Sequence, residues 1–269
     1  MDNVLTDETM KEWGPHKYRD SDILVYSLGS LNEGHGPALS PQNDDYVAIR
    51  TATQVSEQTG FPYMGHLPFS SDRSGEIAKD WHPAWQELEE VTQSIIDYIK
   101  KDISRWRKEV SHTIIISGHG GNNFLKDQEK RLSDSIGAPT LYIIPFDNII
   151  ANLEGYGDVE VGHAGHGEHS VAAYMNLLDK NNLDMINEVA AKDPKKALEN
   201  WKPLCGLGWY VLFGGEKYKA LRNPEYGLVE QAERFMREKK IIADADLGRE
   251  LYNKNLEKTL NQIMDFTRD

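Results

Sequence analysis

The chain has 269 residues, 39% of them hydrophobic, with a net charge of −13 and a pI of about 5.2. That length suffices for one large α/β domain with a real core, and the acidity argues against nucleic acid or an anionic membrane as partner, since both need a basic surface. The single cysteine, Cys205, excludes an internal disulfide and a Cys-rich zinc site, so any metal must be held by His, Asp and Glu.

Apolar runs alternate with stretches of helical period. Ile23–Leu28 reads as a buried strand, Asp45–Thr59 as a helix, and Phe61–Leu67 as a short strand after Gly60. His82–Arg107 predicts a long amphipathic helix, with Leu88, Val91, Ile95, Ile96 and Ile99 at helical spacing. Thr113–Ser117 predicts a buried strand of the parallel type, and Asn122–Ile136 a helix closed by Gly137. Pro139–Pro145 is the next strand; Glu168–Leu178 and Asp246–Phe266 are helices. This β-α-β-α order implies an α/β fold, a mostly parallel sheet with helices on both faces in three layers. No repeat or linker divides the chain, so residues 1–269 are expected to form a single domain. The segment Asn182–Lys240 resists reading. Its aromatic, Gly-rich part, Trp201–Gly215, fits a lid, a subunit contact or irregular core. The opening residues lack the basic and apolar regions of a signal peptide. No run approaches the roughly 18–20 apolar residues of a membrane span. The expectation is a soluble cytoplasmic protein.

Three loops carry the chemistry. Directly after the first strand comes Gly29-Ser-Leu-Asn-Glu33-Gly-His35-Gly-Pro-Ala-Leu39, with Asp44 beyond it. Glu33 and His35 alternate, so an extended backbone points both to one side. Hard and borderline divalent metals take this mixture of oxygen and nitrogen ligands. Ser117-Gly-His119-Gly-Gly-Asn122-Asn123 follows the Thr113–Ser117 strand. Its glycines let backbone and metal approach closely. A phosphate-cradling loop is the alternative, but the Lys-Ser/Thr of a P-loop is missing. Asn122 suits a helix cap or the holding of a neighbouring carboxylate. Val161-Gly-His163-Ala-Gly-His166-Gly-Glu168-His169-Ser170 places three histidines and a glutamate within seven residues. A solvated loop with a capped helix start is the bland reading there.

Loops after parallel strands collect at one sheet edge. The summed ligand set is Glu33, His35, Asp44, His119 and Glu168. That exceeds what one tetrahedral metal needs and points to two divalent ions sharing a carboxylate and a bridging water. His163 is then left to shuttle a proton, and His166 and His169 to touch substrate or support the ligands.

These residues resemble the creatininase (creatinine amidohydrolase) family. Its first motif, roughly G-S-x-E-x-H-G-P-x-L followed by a metal-binding Asp, is matched with one extra residue between Ser30 and Glu33. The second, N-G-H-G-G-N, appears as Ser117-Gly-His119-Gly-Gly-Asn122. The third, H-A-G-x-x-E-T-S, appears with His169 in place of Thr. The resemblance implies a creatininase-like α/β fold, two divalent ions (zinc, manganese or iron), hydrolysis of an amide-type C–N bond and a homo-oligomer, commonly a hexamer. It makes Glu33, His35, Asp44 and His119 metal ligands with Asp44 bridging, and His163 the general acid/base. Creatininase takes a further ligand from a Glu two residues after its second-motif His. Gly121 stands there in this chain, which implies that Glu168 fills the vacancy and counts against creatinine as the substrate. Asn122, His166 and His169 are left as substrate contacts. The longer opening and Asn223-Pro-Glu-Tyr-Gly-Leu-Val229 look most like the archaeal formamidopyrimidine-nucleotide deformylase branch. A ribose phosphate would want a cation, for which Arg73, Lys79 and Arg222 are candidates. An alternative within the family is a hydrolase opening a cyclic diketo-inositol by C–C cleavage. A metal-binding subunit without turnover is a further alternative.

Overall fold

The computed structural model describes residues 21–106, 108–146, 150–153, 157–160 and 162–268. Two compact units divide the chain. Among the described residues, one contains 21–33, Asp44–Pro145 and 255–268; the other contains Gly34–Asn43 and Phe146–Lys254.

The first unit is built on a four-stranded parallel sheet of β1 (Ile23–Leu28), β2 (Tyr63–Leu67), β3 (His112–Ser117) and β4 (Thr140–Ile143), in the order β2-β1-β3-β4. Every residue of β1 is buried. That burial is why its sequence shows a continuous apolar run rather than alternation. β1 and β3 pair in register from Ile23 with His112 to Leu28 with Ser117. Their carboxyl ends are tied by a bond from the Gly118 amide to the Leu28 carbonyl, 2.9 Å. The loops after these two strands therefore start side by side.

Helix α1 (Asn43–Thr59) carries Asp44 and Asp45 in its first turn, where carboxylates complement the helix dipole. Helix α2 (Leu88–Ile103) buries Val91, Ile95, Ile96 and Ile99 at helical spacing. They pack in one core cluster with Leu24, Tyr26, Ile115 and Tyr142, where each full burial contributes roughly 1.5–3 kcal/mol. The helix starts at Leu88 rather than at the expected His82. Pro83 disfavours helical backbone at the residue before it, and Glu87 is still extended. Likewise the expected helix Asn122–Ile136 opens as a 3₁₀ stretch, Gly120–Gln128, before the α-helix α3 (Glu129–Ile136). Two glycines and two asparagines are poor helix formers. Gly137 ends α3 with φ 85°, donating to the Ser133 carbonyl, as its sequence position predicts.

The second unit carries a two-stranded antiparallel ribbon, β5 (Ile150–Leu153) and β6 (Gly157–Glu160). Helices α4 (His166–Tyr174), α5 (Lys180–Lys192), α6 (Pro194–Asn200), α7 (Leu204–Phe213) and α8 (Leu228–Glu238) follow. The segment that resisted sequence reading is thus mostly helical. Its Gly-rich part is α7, whose start bends through three left-handed residues, Cys205, Gly206 and Leu207. Leu204 and Cys205 pack with Ala164, Leu198 and Phe235 in a second core cluster. Helix α9 (Ala245–Phe266) closes the chain. Among the described residues no helix is long and apolar enough to cross a membrane.

Candidate metal centre

In the sheet-bearing unit the loops after β1, β2 and β3 are joined by one side chain. Asn122, fully buried, donates from Nδ2 to the Gly29 carbonyl, 2.8 Å, and accepts at Oδ1 from the Ser71 amide, 3.0 Å. A second chain of bonds supports the same loop. The Asp45 carboxylate accepts from the Leu31 amide, 3.0 Å, and lies 3.2 Å from His66 Nε2. The other His66 nitrogen lies 2.9 Å from Ser27 Oγ, itself 2.7 Å from the Tyr63 hydroxyl. Two glycines make room. A Cβ on Gly29 would fall 1.9 Å from Asp45 Oδ1, and one on Gly118 would fall 2.1 Å from the Asp44 carbonyl. Those separations are impossible for real atoms, so both positions must lack a side chain.

This frame brings Glu33, Asp44 and His119 together, each at most 3% exposed. His119 Nδ1 lies 2.9 Å from Glu33 Oε2 and 3.1 Å from Asp44 Oδ2. One ligand atom from each of the three lies within 4.8 Å of the others. On the far side of the ring, Nε2 donates to the Ser71 carbonyl, 3.1 Å. Such a bond fixes the tautomer of a metal-binding histidine and leaves Nδ1 for the ion. Burial alone would push the His119 pKa down, but the charges and hydrogen bonds of Glu33 and Asp44 outweigh it and raise it well above the ordinary value. Two buried carboxylates thus draw positive charge into this spot. An imidazolium proton supplies it here, and a divalent cation fits the same donors.

In the other unit, His35 Nε2 lies 3.8 Å from Glu168 Oε2. Glu168 stands in the first turn of α4 and accepts from the Ala164 amide, 2.7 Å. The His163 ring packs on His35 at 4.6 Å between centroids, and its Nε2 donates to the Gly34 carbonyl, 2.9 Å. With the proton on Nε2, Nδ1 is the nitrogen that can take up or give another. His169 is fully buried and donates from Nδ1 to the Gly165 carbonyl, 2.8 Å. Burial pushes its pKa down to about 4, so it is neutral at physiological pH. His166 accepts from the Ile242 amide at Nδ1, 2.8 Å, and its Nε2 faces Glu238 at 3.3 Å. Both of its nitrogens are engaged by the protein.

The cations considered for a phosphate are occupied or outward-facing. Arg73 is exposed. Lys79 pairs with Glu76 at 3.0 Å and lies over the Trp85 ring. Arg222 donates to the Val211 and Gly215 carbonyls, 2.9 and 3.1 Å. Two buried residues near His119 escaped sequence reading, Asp72 and His82. Neither sits in a Gly-rich or His-rich run, and only the packing of the loop after β2 brings them in.

No family model matches the chain. In sequence it is 29% identical over 184 residues to the 2-amino-5-formylamino-6-ribosylaminopyrimidin-4(3H)-one 5'-monophosphate deformylase of Methanobrevibacter smithii, covering 66% of this chain and 73% of the relative. The deformylase of the same name from Methanobrevibacter ruminantium is 30% identical over 166 residues, covering 60% of this chain and 62% of the relative. Among solved structures it is similar to creatinine amidohydrolase (creatininase), with a TM-score of 0.59, 15% identity and coverage of 94% and 93% of the two chains. A Zn–Zn creatininase (16% identity, 92% and 91% covered) and a manganese one (15%, 92% and 91%) both give a TM-score of 0.56. Both groups of relatives are named for hydrolysis of non-peptide C–N bonds, the class read from the three motifs. The chain therefore has the α/β fold of the creatininases and resembles in sequence the formylaminopyrimidine-nucleotide deformylases of methanogens.

Proposed function

We propose that the protein is a divalent-metal-dependent amidohydrolase that cleaves an amide or formamide C–N bond in a small polar substrate. The observation that carries this reading is the buried Glu33–Asp44–His119 cluster, whose carboxylates hold His119 in its charged form. The proposed ligands for two ions of zinc, manganese or iron are Glu33, His35, Asp44, His119 and Glu168. Such ions polarise a carbonyl oxygen and make a water acidic enough to attack near neutral pH.

The chain's own groups do the rest. Glu33 and Asp44 supply the negative charge that retains the cations, and His119 gives up its Nδ1 proton on loading. His163, anchored at Nε2 by the Gly34 carbonyl, carries a proton from Nδ1 to the departing nitrogen, which must be protonated to leave. The names of the methanogen deformylases supply the first substrate to try, a formylaminopyrimidine ribonucleotide. A homo-oligomer is part of the same reading and is checked by light scattering on the purified protein.

The test is release of formate from that nucleotide, and of amine from a panel of small amides and creatinine. It uses protein stripped by chelator and reloaded with each ion. Hydrolysis that vanishes with the metal and returns with it supports the reading. A metal-loaded protein that cleaves none of these bonds, or a metal-free one equally active, overturns it.

A further inference from the structure

A second group of donors in the sheet-bearing unit shares only His119 with the five-residue set. Asp72, His82 and His119 are 6%, 0% and 3% exposed, and a ligand atom of each lies within 4.8 Å of the others. The His82 tautomer follows from its one bond. Its Nε2 is 2.7 Å from the Ser30 carbonyl, which can only accept, so Nε2 carries the proton and Nδ1 a lone pair. That Nδ1 is buried and has no hydrogen-bond partner. Asp72 uses Oδ1 to accept from the Ser74 amide, 2.7 Å, which leaves Oδ2 for another task.

Gly121 belongs to this arrangement. A Cβ there would stand 2.2 Å from His119 Nε2 and 2.9 Å from Asp72 Oδ2. The Asp72 carboxylate thus fills the space beside His119 that a side chain at 121 would need. The His82 and His119 rings meet edge to face, 5.1 Å apart. The buried, unpartnered lone pair of His82 Nδ1 and an Asp72 carboxylate oxygen, both acceptors, lie within 4.8 Å of each other. Buried acceptors left so are costly, and nitrogen with oxygen is the donor mixture borderline divalent cations take.

We propose that Asp72 and His82, with His119 beside them, form a further divalent-cation site, separate from the Glu33–Asp44–His119 cluster. One imidazole serves one ion at a time. While His119 serves Glu33 and Asp44, the further ion is held by Asp72 Oδ2 and His82 Nδ1, with water completing its shell. Two protein ligands make it the weaker site, filled last.

The experiment is equilibrium dialysis of metal-free full-length protein against cobalt(II) and zinc(II), for wild type, Asp72→Asn and His82→Gln. Wild type is expected to bind one equivalent more than either variant, and the cobalt absorption of that last equivalent to be missing from both. Asp72→Asn keeps an oxygen for the Ser74 amide, so it decides the matter if His82→Gln does not fold, as judged by circular dichroism. Equal stoichiometry in wild type and Asp72→Asn overturns the proposal and leaves a trapped water between the two acceptors. The proposal depends on the amidohydrolase reading only for the ions it is counted against. Glu33→Gln separates the two. If it loses an equivalent while Asp72→Asn does not, this inference fails alone; if only Asp72→Asn loses one, the metal assignment above fails and this site stands.

Discussion

Asn122 Nδ2 reaches the Gly29 carbonyl at 2.8 Å across 93 residues of sequence, and its Oδ1 takes the Ser71 amide from a third loop. This one amide holds the loops after β1, β2 and β3 in a common frame around His119. Asn122→Ala leaves a carbonyl and an amide unsatisfied in the interior, at roughly 1–3 kcal/mol each. The expected result is a loss of about 2–6 kcal/mol in denaturant unfolding and a drop in metal content. Asn122→Asp keeps the acceptor for Ser71 but sets a buried carboxylate oxygen against the Gly29 carbonyl, so it should be no more stable than alanine. A variant as stable and as metal-rich as wild type would remove Asn122 from this role.

Ligand and proton carrier should separate in kinetics. His119→Ala removes the nitrogen facing Glu33 and Asp44 and should lose the ion held there and hydrolysis together. His163→Ala is expected to keep its metal and lower kcat by about 10²–10⁴, the usual contribution of a positioned acid/base. Elemental analysis beside steady-state rates checks both. Near-full turnover in His163→Ala would assign the proton to another group.

Three buried histidines set opposite pH limits on the metal-free protein. His82 and His169 are pushed down to about 4, mainly by burial, from about 6.5 in the unfolded chain. Between those values the unfolded state binds the extra protons, so stability falls as the pH drops from 6.5 to 4, by about 3 kcal/mol for each group. His119 is raised instead. Its contribution is complete below about 6.5 and is lost as pH rises through its folded value. The melting temperature of metal-free protein should therefore peak near pH 6.5. Bound metal replaces the His119 proton and should flatten the alkaline limb. Scanning calorimetry across pH, with and without zinc, reads this directly. An alkaline limb that is unchanged by metal would contradict it.

Much of this was legible because it is local. The buried run of β1, the Thr113–Ser117 strand and the Gly137 helix end each follow from neighbouring residues. The three His-bearing loops announce themselves by glycine and ligand spacing. What was hidden depends on long-range packing. Asp72 and His82 acquire meaning only once β2 pairs with β1 and its following loop is fastened by Asn122. His66 and Asp45 look like surface residues until their bond is seen. Of the helices of 180–238, α7 was obscured because Gly206 and Gly208 interrupt its period. In α7 three successive residues turn left-handed, a conformation no local pattern favours outside glycine.

Glu168 has two tasks that a single substitution can part. As a residue of the first turn of α4 it accepts from the Ala164 amide, and as a carboxylate it faces His35 at 3.8 Å. Glu168→Gln retains an oxygen for Ala164 but loses the charge that would hold a cation. It should melt within a few degrees of wild type, since the capping bond survives. It should nevertheless bind one ion fewer at equal free metal, with hydrolysis lowered at least tenfold. Glu168→Ala loses both functions and should also lose roughly 1 kcal/mol of stability, the usual cost of a missing helix-end bond. If the glutamine variant keeps both ions, Glu168 serves only the helix, and the ligand in place of a side chain at Gly121 must come from elsewhere in the chain.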